Sequence, residues 1–132
     1  MFSGHANIPQ ILAVGVGKKS KINSETLRRA AGKAGKMLTS LKAKKIGFAV
    51  TSHLQKTSET DVGQVLVEGL TLGSYKFNQY KESHDEKSKL ESIKIQCCDP
   101  ENITSRKAIK TGKMRADGTN LARNLGNTPL MI

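Results

Sequence analysis

Apolar residues along this 132-residue chain fall into short blocks whose spacing switches between strand-like and helix-like. The first block, Pro9 to Val16 with Ile11-Leu12-Ala13-Val14 at its centre, is continuous rather than alternating and ends at Gly15-Val16-Gly17-Lys18. Continuous apolarity predicts a strand covered on both faces. Ser24 then supplies an N-cap, with Glu25 placed at the positive end of the helix. Leu27, Ala30, Ala31, Ala34, Met37, Leu38 and Leu41 follow at helical spacing, and Arg29, Lys33 and Lys36 fall opposite them. An amphipathic helix with a basic outer face is expected. Lys45 to Thr51 reads as a second strand and 52–58 as a polar loop. A second helical pattern carries Val62, Val65, Leu66, Gly69, Leu72 and Gly73, whose glycines allow close approach of a neighbour at some cost in helix propensity.

The stretch 83–89 is charged and predicts a solvated loop, after which Ile93, Ile95 and Cys97 alternate with Ser92, Lys94 and Gln96 in a third strand spanning 90–98. Alternation implies one wetter face and a place toward the sheet edge. Asp99-Pro100-Glu101 is a helix start, and the helix runs on through Ile103, Ile109, Met114, Leu121 and Leu125, bent near Gly112 or Gly118. Gly126-Asn127 and then Pro129 form a stop, with only Leu130, Met131 and Ile132 beyond. The order strand, helix, strand, helix, strand, helix predicts an α/β fold with right-handed crossovers between largely parallel strands. Three strands make a thin sheet whose edges call for a partner.

Size and composition narrow the class. A chain of 132 residues has room for one domain, and with no Trp and 4% aromatics its core is built from Leu, Ile, Val, Ala and a few Met. No apolar run approaches the roughly 18 residues that span a bilayer, and the start lacks a signal-peptide layout. A soluble, cytoplasmic protein is expected. The net charge of +11 is unevenly spread: Lys18 to Lys45 is basic with Glu25 as its only acid, whereas acids outnumber lysines from Glu59 to Glu91. Such polarity suits an acidic partner, either nucleic acid or another copy. Lys18, Lys19, Lys21, Arg29, Lys33 and Lys36 are the candidate nucleic-acid contacts, set against the simpler reading of a solvated basic face.

Catalytic chemistry is not evident in the motifs. His5, His53 and His84 are scattered without metal-site spacing, and Cys97-Cys98 lacks the spacing of a redox pair or zinc knuckle. No Ser lies in GxSxG. The Gly15-Val16-Gly17-Lys18 turn fails as a phosphate loop because Leu12 stands at the first Gly position and Lys19 follows Lys18; it fails as a dinucleotide fingerprint because Ser20 stands where the last Gly belongs. A tight turn out of a strand is the better reading. Tyr75, Phe77 and Tyr80 at a helix end are either stacking platforms or a packing anchor.

Three segments in order carry a resemblance: Ile11-Leu-Ala-Val-Gly-Val-Gly-Lys-Lys19; Glu68-Gly69 with Leu72-Gly-Ser-Tyr-Lys-Phe77 and Tyr80-Lys81; and Gly118-Thr-Asn-Leu-Ala-Arg-Asn-Leu125 with Asn127-Thr-Pro129. Over about 120 residues the chain resembles the N-terminal domain of the leucine aminopeptidase, or cytosol aminopeptidase, family of metallopeptidases. The resemblance implies a three-layer α/β/α, macro-domain-like fold over 1–117, incomplete at its start, with 118–132 as the end of a linker helix leading to a catalytic domain. It further implies a full-length enzyme that removes N-terminal amino acids with two divalent metals, zinc or manganese, usually as a hexamer. No family metal ligand or catalytic residue maps onto this chain, so a non-catalytic fragment that self-associates or joins a catalytic domain is expected. A DNA-binding module is the alternative, and an ADP-ribose-like nucleotide site is a weaker one resting on fold analogy alone.

Overall fold

The computed structural model describes residues 2–3, 10–50, 54, 61–76, 92–97 and 106–129. The elements are β1 (Phe2–Ser3), β2 (Gln10–Ile11), a 3₁₀ turn at Lys19–Lys21, α1 (Ser24–Ser40), β3 (Lys45–Val50), α2 (Val62–Gly73), β4 (Ser92–Cys97) and α3 (Arg106–Asn127). Helix α2 lies between α1 and α3, packed on both. Strands β3 and β4 pair in parallel, with Lys45 opposite Ser92 and Val50 opposite Cys97. Phe48 of β3 is packed against Leu27, Ala31, Val62, Val65 and Leu66, so the strand pair joins the same core as the first two helices. The result is an α/β arrangement of one helical layer on a parallel strand pair among the described residues.

The first predicted strand needs correction. Regular pairing covers only Gln10–Ile11, antiparallel to Phe2–Ser3. Beyond it Leu12, Val14 and Val16 are half-buried while Ile11, Ala13 and Gly15 are exposed. The run is therefore covered on one face, where Val16 reaches the core, and not on both. The turn that ends it takes the expected form, since Gly17 has φ of 89°, a conformation open to glycine.

Helix α1 starts one residue earlier in its capping than expected. Asn23, not Ser24, is the N-cap: its Oδ1 accepts from the Thr26 amide at 2.9 Å, while the Asn23 amide donates to Thr26 Oγ1 at 2.8 Å. This reciprocal box satisfies two groups that a helix start otherwise leaves open. Asp61 caps α2 by accepting from the Gly63 amide at 2.9 Å. The core face of α1 also differs from expectation. Leu27, Ala30, Ala31 and Ala34 are buried as predicted, but Met37 and Leu41 are exposed and Gly35 and Thr39 are buried in their place.

The reason lies in how closely the helices cross. A Cβ built on Gly35 would come within 2.6 Å of the Leu70 carbonyl oxygen, and one on Gly112 within 2.6 Å of the Gln64 carbonyl oxygen. Gly69 and Gly73 of α2 abut the backbone of α1 at Arg28 and Gly32 more tightly still. Backbone rests on backbone at both crossings, which excludes large side chains from the seams and turns Met37 outward. Helix α3 is continuous through Gly112 and Gly118.

Candidate functional site

Two polar clusters bind the three helices together. Glu68 is 6% exposed at the middle of α2. Its Oε2 accepts from Arg28 Nε of α1 at 3.0 Å and its Oε1 from Gln64 Nε2 at 2.9 Å, with Arg115 Nη1 of α3 at 3.9 Å. Arg28 also reaches Glu25 at 2.8 Å, and Glu25 in turn bonds Arg29 at 2.9 Å. Burial alone would lower the Arg28 pKa, but its bonds to Glu25 and Glu68 outweigh that and hold it above the ordinary range. The Glu25 carboxyl is held below its ordinary value, chiefly by Arg29 and then by Arg28. Both guanidinium and carboxylate are thereby committed to structure.

The second cluster joins the end of α2 to the end of α3. Arg123 lies over the Tyr75 ring at 3.9 Å from its centroid and donates from Nη1 to the Leu72 carbonyl at 3.1 Å. The Tyr75 hydroxyl donates to Asn124 Oδ1 at 2.8 Å and accepts from Asn127 Nδ2 at 3.2 Å. Asn120 Nδ2 donates to the Thr71 carbonyl at 3.3 Å. Carbonyls left open at the C-terminus of α2 thus find partners on α3. A cavity of about 320 Å³ beside this clamp is lined by Lys36, Thr39, Gly73, Ser74, Tyr75, Lys76 and Arg123. Among the described residues its lining is cationic and includes no acid, His or Cys that could serve as a general base or nucleophile.

The sequence-predicted basic residues fall on two elements. Lys18, Lys19 and Lys21 sit at the 3₁₀ turn, exposed, while Arg29, Lys33 and Lys36 lie along the exposed side of α1. Arg29 is paired with Glu25, and Lys36 alone of the six lines the cavity. Tyr75 is the packing anchor of the two readings considered for it, since Arg123 covers its ring. Phe77, Tyr80, the three histidines, Cys98 and the helix start at Asp99-Pro100-Glu101 lie outside the described residues. Among the described residues no three His, Cys, Asp or Glu side chains come together as metal ligands. Glu25 and Glu68 are held by arginines, so this part of the chain does not fit a two-metal centre.

The outward side of α3 carries three large apolar residues among charged ones such as Lys110, Lys113 and Asp117. Ala116 is 1% exposed and Gly112 is buried against α2, but Met114, Leu121 and Leu125 are 64%, 60% and 69% exposed. The sequence places these three along the helix without separating its two sides, because hydrophobicity alone does not reveal that the packed side includes Gly112 and Ala116.

Comparison with known proteins interprets this geometry. Residues 2–84 match the profile described as Cytosol aminopeptidase family, N-terminal domain. The chain is 35% identical over 127 residues to a probable cytosol aminopeptidase of Clostridium perfringens (strain 13 / Type A), covering 93% of this chain and 25% of the relative. It is 32% identical over 120 residues to that of Aquifex aeolicus (strain VF5), covering 90% and 23%. The solved structure of the bottromycin maturation enzyme BotP in complex with Mn superimposes with a TM-score of 0.64 at 25% identity, over 88% of this chain and 23% of BotP. These matches define an α/β N-terminal module of a peptidase family. The chain belongs to the cytosol aminopeptidase family and corresponds to its N-terminal domain. It spans about a quarter of the length of the curated relatives it matches. No helix among the described residues is long and apolar enough to cross a membrane.

Proposed function

We propose that this chain is the non-catalytic N-terminal domain of a cytoplasmic leucyl aminopeptidase, serving to assemble and hold a catalytic portion that supplies the chemistry. The observation that carries this reading is the pairing of near-complete coverage of this chain with coverage of only a quarter of its relatives. The remaining three quarters of such an enzyme would hold two divalent metals, zinc or manganese, and remove N-terminal amino acids from peptides. The BotP structure, described as a complex with Mn, supports metal use in the larger enzymes. In this reading the parallel pair β3–β4 belongs to a three-layer α/β/α, macro-like domain over 1–117, and 118–132 is the end of the linker helix. Hexamer formation follows from the family reading.

The test is a chimera in which this chain replaces the matched quarter of the Clostridium perfringens enzyme. Leucine p-nitroanilide hydrolysis in the presence of manganese should be recovered relative to the same enzyme lacking that quarter. The 132-residue chain alone should show none above buffer, and robust hydrolysis by it would overturn the reading.

A further inference from the structure

We infer that the cavity beside the α2–α3 clamp is a binding site for a small phosphate ester, with Lys36, Lys76 and Arg123 around its phosphoryl group. Each cation comes from a different part of the fold: Lys36 from the last turns of α1, Lys76 from just beyond the C-cap of α2, and Arg123 from α3. Gathering three like charges at one opening costs Coulomb energy that an anion removes. Among the described residues the protein supplies none. The described acids are all engaged elsewhere: Glu25 with Arg28 and Arg29, Glu68 with Arg28 and Gln64, Asp61 as the cap of α2, and Asp117 with Lys113 at 2.7 Å. Lys36, Lys76 and Arg123 form no ion pair among the described residues.

Helix ends offset only part of this charge. The C-terminal turns of α1 and α2 reach the cavity at Thr39 and Gly73 and contribute roughly half a negative charge each, against three full positive ones. The end of α2 is further muted because its carbonyls are occupied: Leu70 accepts from the Ser74 amide, Thr71 from Ser74 Oγ and Asn120 Nδ2, and Leu72 from Arg123. A net positive cavity remains. Arg123 is also fixed before any ligand arrives, by its seat over the Tyr75 ring and by Nη1 bonds to the Leu72 carbonyl and Asn120 Oδ1. Binding to it therefore costs little ordering entropy. Its Nε and Nη2 have no hydrogen-bond partner among the described residues, which leaves donors of a planar fork for phosphate oxygens. Volume sets the size of the ligand. At about 320 Å³ the cavity lies at the small end of the range for small-molecule sites, with room for a phosphorylated molecule of a few carbon atoms.

Titration of the 132-residue chain with ribose 5-phosphate, followed by calorimetry in about 0.15 M NaCl, tests this. One saturable site with a dissociation constant below about 1 mM is expected, and inorganic phosphate, which lacks the ester carbons, should bind at least about tenfold more weakly. Lys36→Gln with Lys76→Gln should weaken the ester at least about tenfold, since each removes a charge-assisted bond. Both side chains are exposed, so the circular dichroism of that variant should match the parent. Lys33→Gln, exposed on the same helix but not lining the cavity, should leave the affinity unchanged. Equal weakening by Lys33→Gln would show diffuse attraction to a chain of net charge +11 and overturn the inference. Inorganic phosphate binding as tightly as the ester, or no saturable binding of the ester up to about 10 mM, would overturn it as well.

Discussion

Replacing Gly69 with Ala adds one methyl group at the centre of the α1–α2 crossing. Intrinsic propensity favours the change, since Ala is better than Gly inside a helix by about 1 kcal/mol. The surroundings oppose it. The new Cβ would collide with the Arg28 carbonyl oxygen and sit 2.8 Å from the Ala31 Cβ and 3.1 Å from the Arg28 carbonyl carbon. Two of those three atoms are backbone of the opposing helix and cannot rotate away, so the helices must part. Overpacking of this kind costs typically about 1–3 kcal/mol, and the rigid neighbours place Gly69 at or beyond the upper end of that range. Subtracting the propensity gain leaves a net loss of about 2 kcal/mol. For a domain of this size that lowers the thermal midpoint by roughly 5–10 °C. Gly118→Ala is the matched control: it is helical and has nothing within 4 Å of an added Cβ. Only the propensity term acts there, so it should gain about 0.5–1 kcal/mol. Thermal melts followed by circular dichroism read both signs in one experiment. A Gly69→Ala melt at or above that of the parent chain would refute the claim that these helices touch backbone to backbone.

Three further outcomes follow from the polar clusters. Glu68→Leu removes the carboxylate shared by Arg28 and Gln64 and should cost about 2 kcal/mol by urea denaturation, less than the ~3–5 kcal/mol of a fully buried pair because Arg28 retains Glu25. The Glu25 carboxyl titrates below its ordinary value of 4.5, so its contribution to stability is present above that pH and is lost as pH falls through the depressed folded value. Stability measured downward from pH 5 should therefore fall less steeply in Glu25→Gln than in the parent, and equal slopes would contradict the pairing. Tyr75→Phe deletes the hydroxyl that bonds Asn124 and Asn127. It should cost about 0.5–1 kcal/mol and quicken amide exchange in the last turn of α3 while α1 is unaffected.

Much of the helical layer was legible because periodicity reports which side of a helix is apolar. Leu27, Ala30, Ala31 and Ala34 on α1, and Val62, Val65 and Leu66 on α2, are buried where their spacing placed them. Strands β3 and β4 fall within the predicted 45–51 and 90–98. Side-chain size was the missing variable. Met37 and Leu41 extend the α1 pattern but stand outside it: the close helix crossing at Gly35 leaves no room for a large side chain, and Leu41 lies past the last residue of the helix as its C-cap. Capping was misplaced by one residue since Ser24 and Asn23 are both good caps, and only the reciprocal bond with Thr26 distinguishes them. Glu68 carried no periodic signal at all: it is a charged residue on a buried stretch, and its partners come from 40 residues away in α1 and from α3.

The closing motif of the chain reverses the usual division of a surface helix. Between positions 120 and 127 its polar members, Asn120, Arg123, Asn124 and Asn127, turn inward and hold α3 to the end of α2. Its leucines, Leu121 and Leu125, turn to solvent. A helix held by directional bonds and a cation over a ring keeps its orientation without using its apolar residues. Those residues are largely exposed, so changes at Leu121 and Leu125 should cost less stability than changes at Tyr75. Tyr75 should alter how firmly α3 is held to the end of α2.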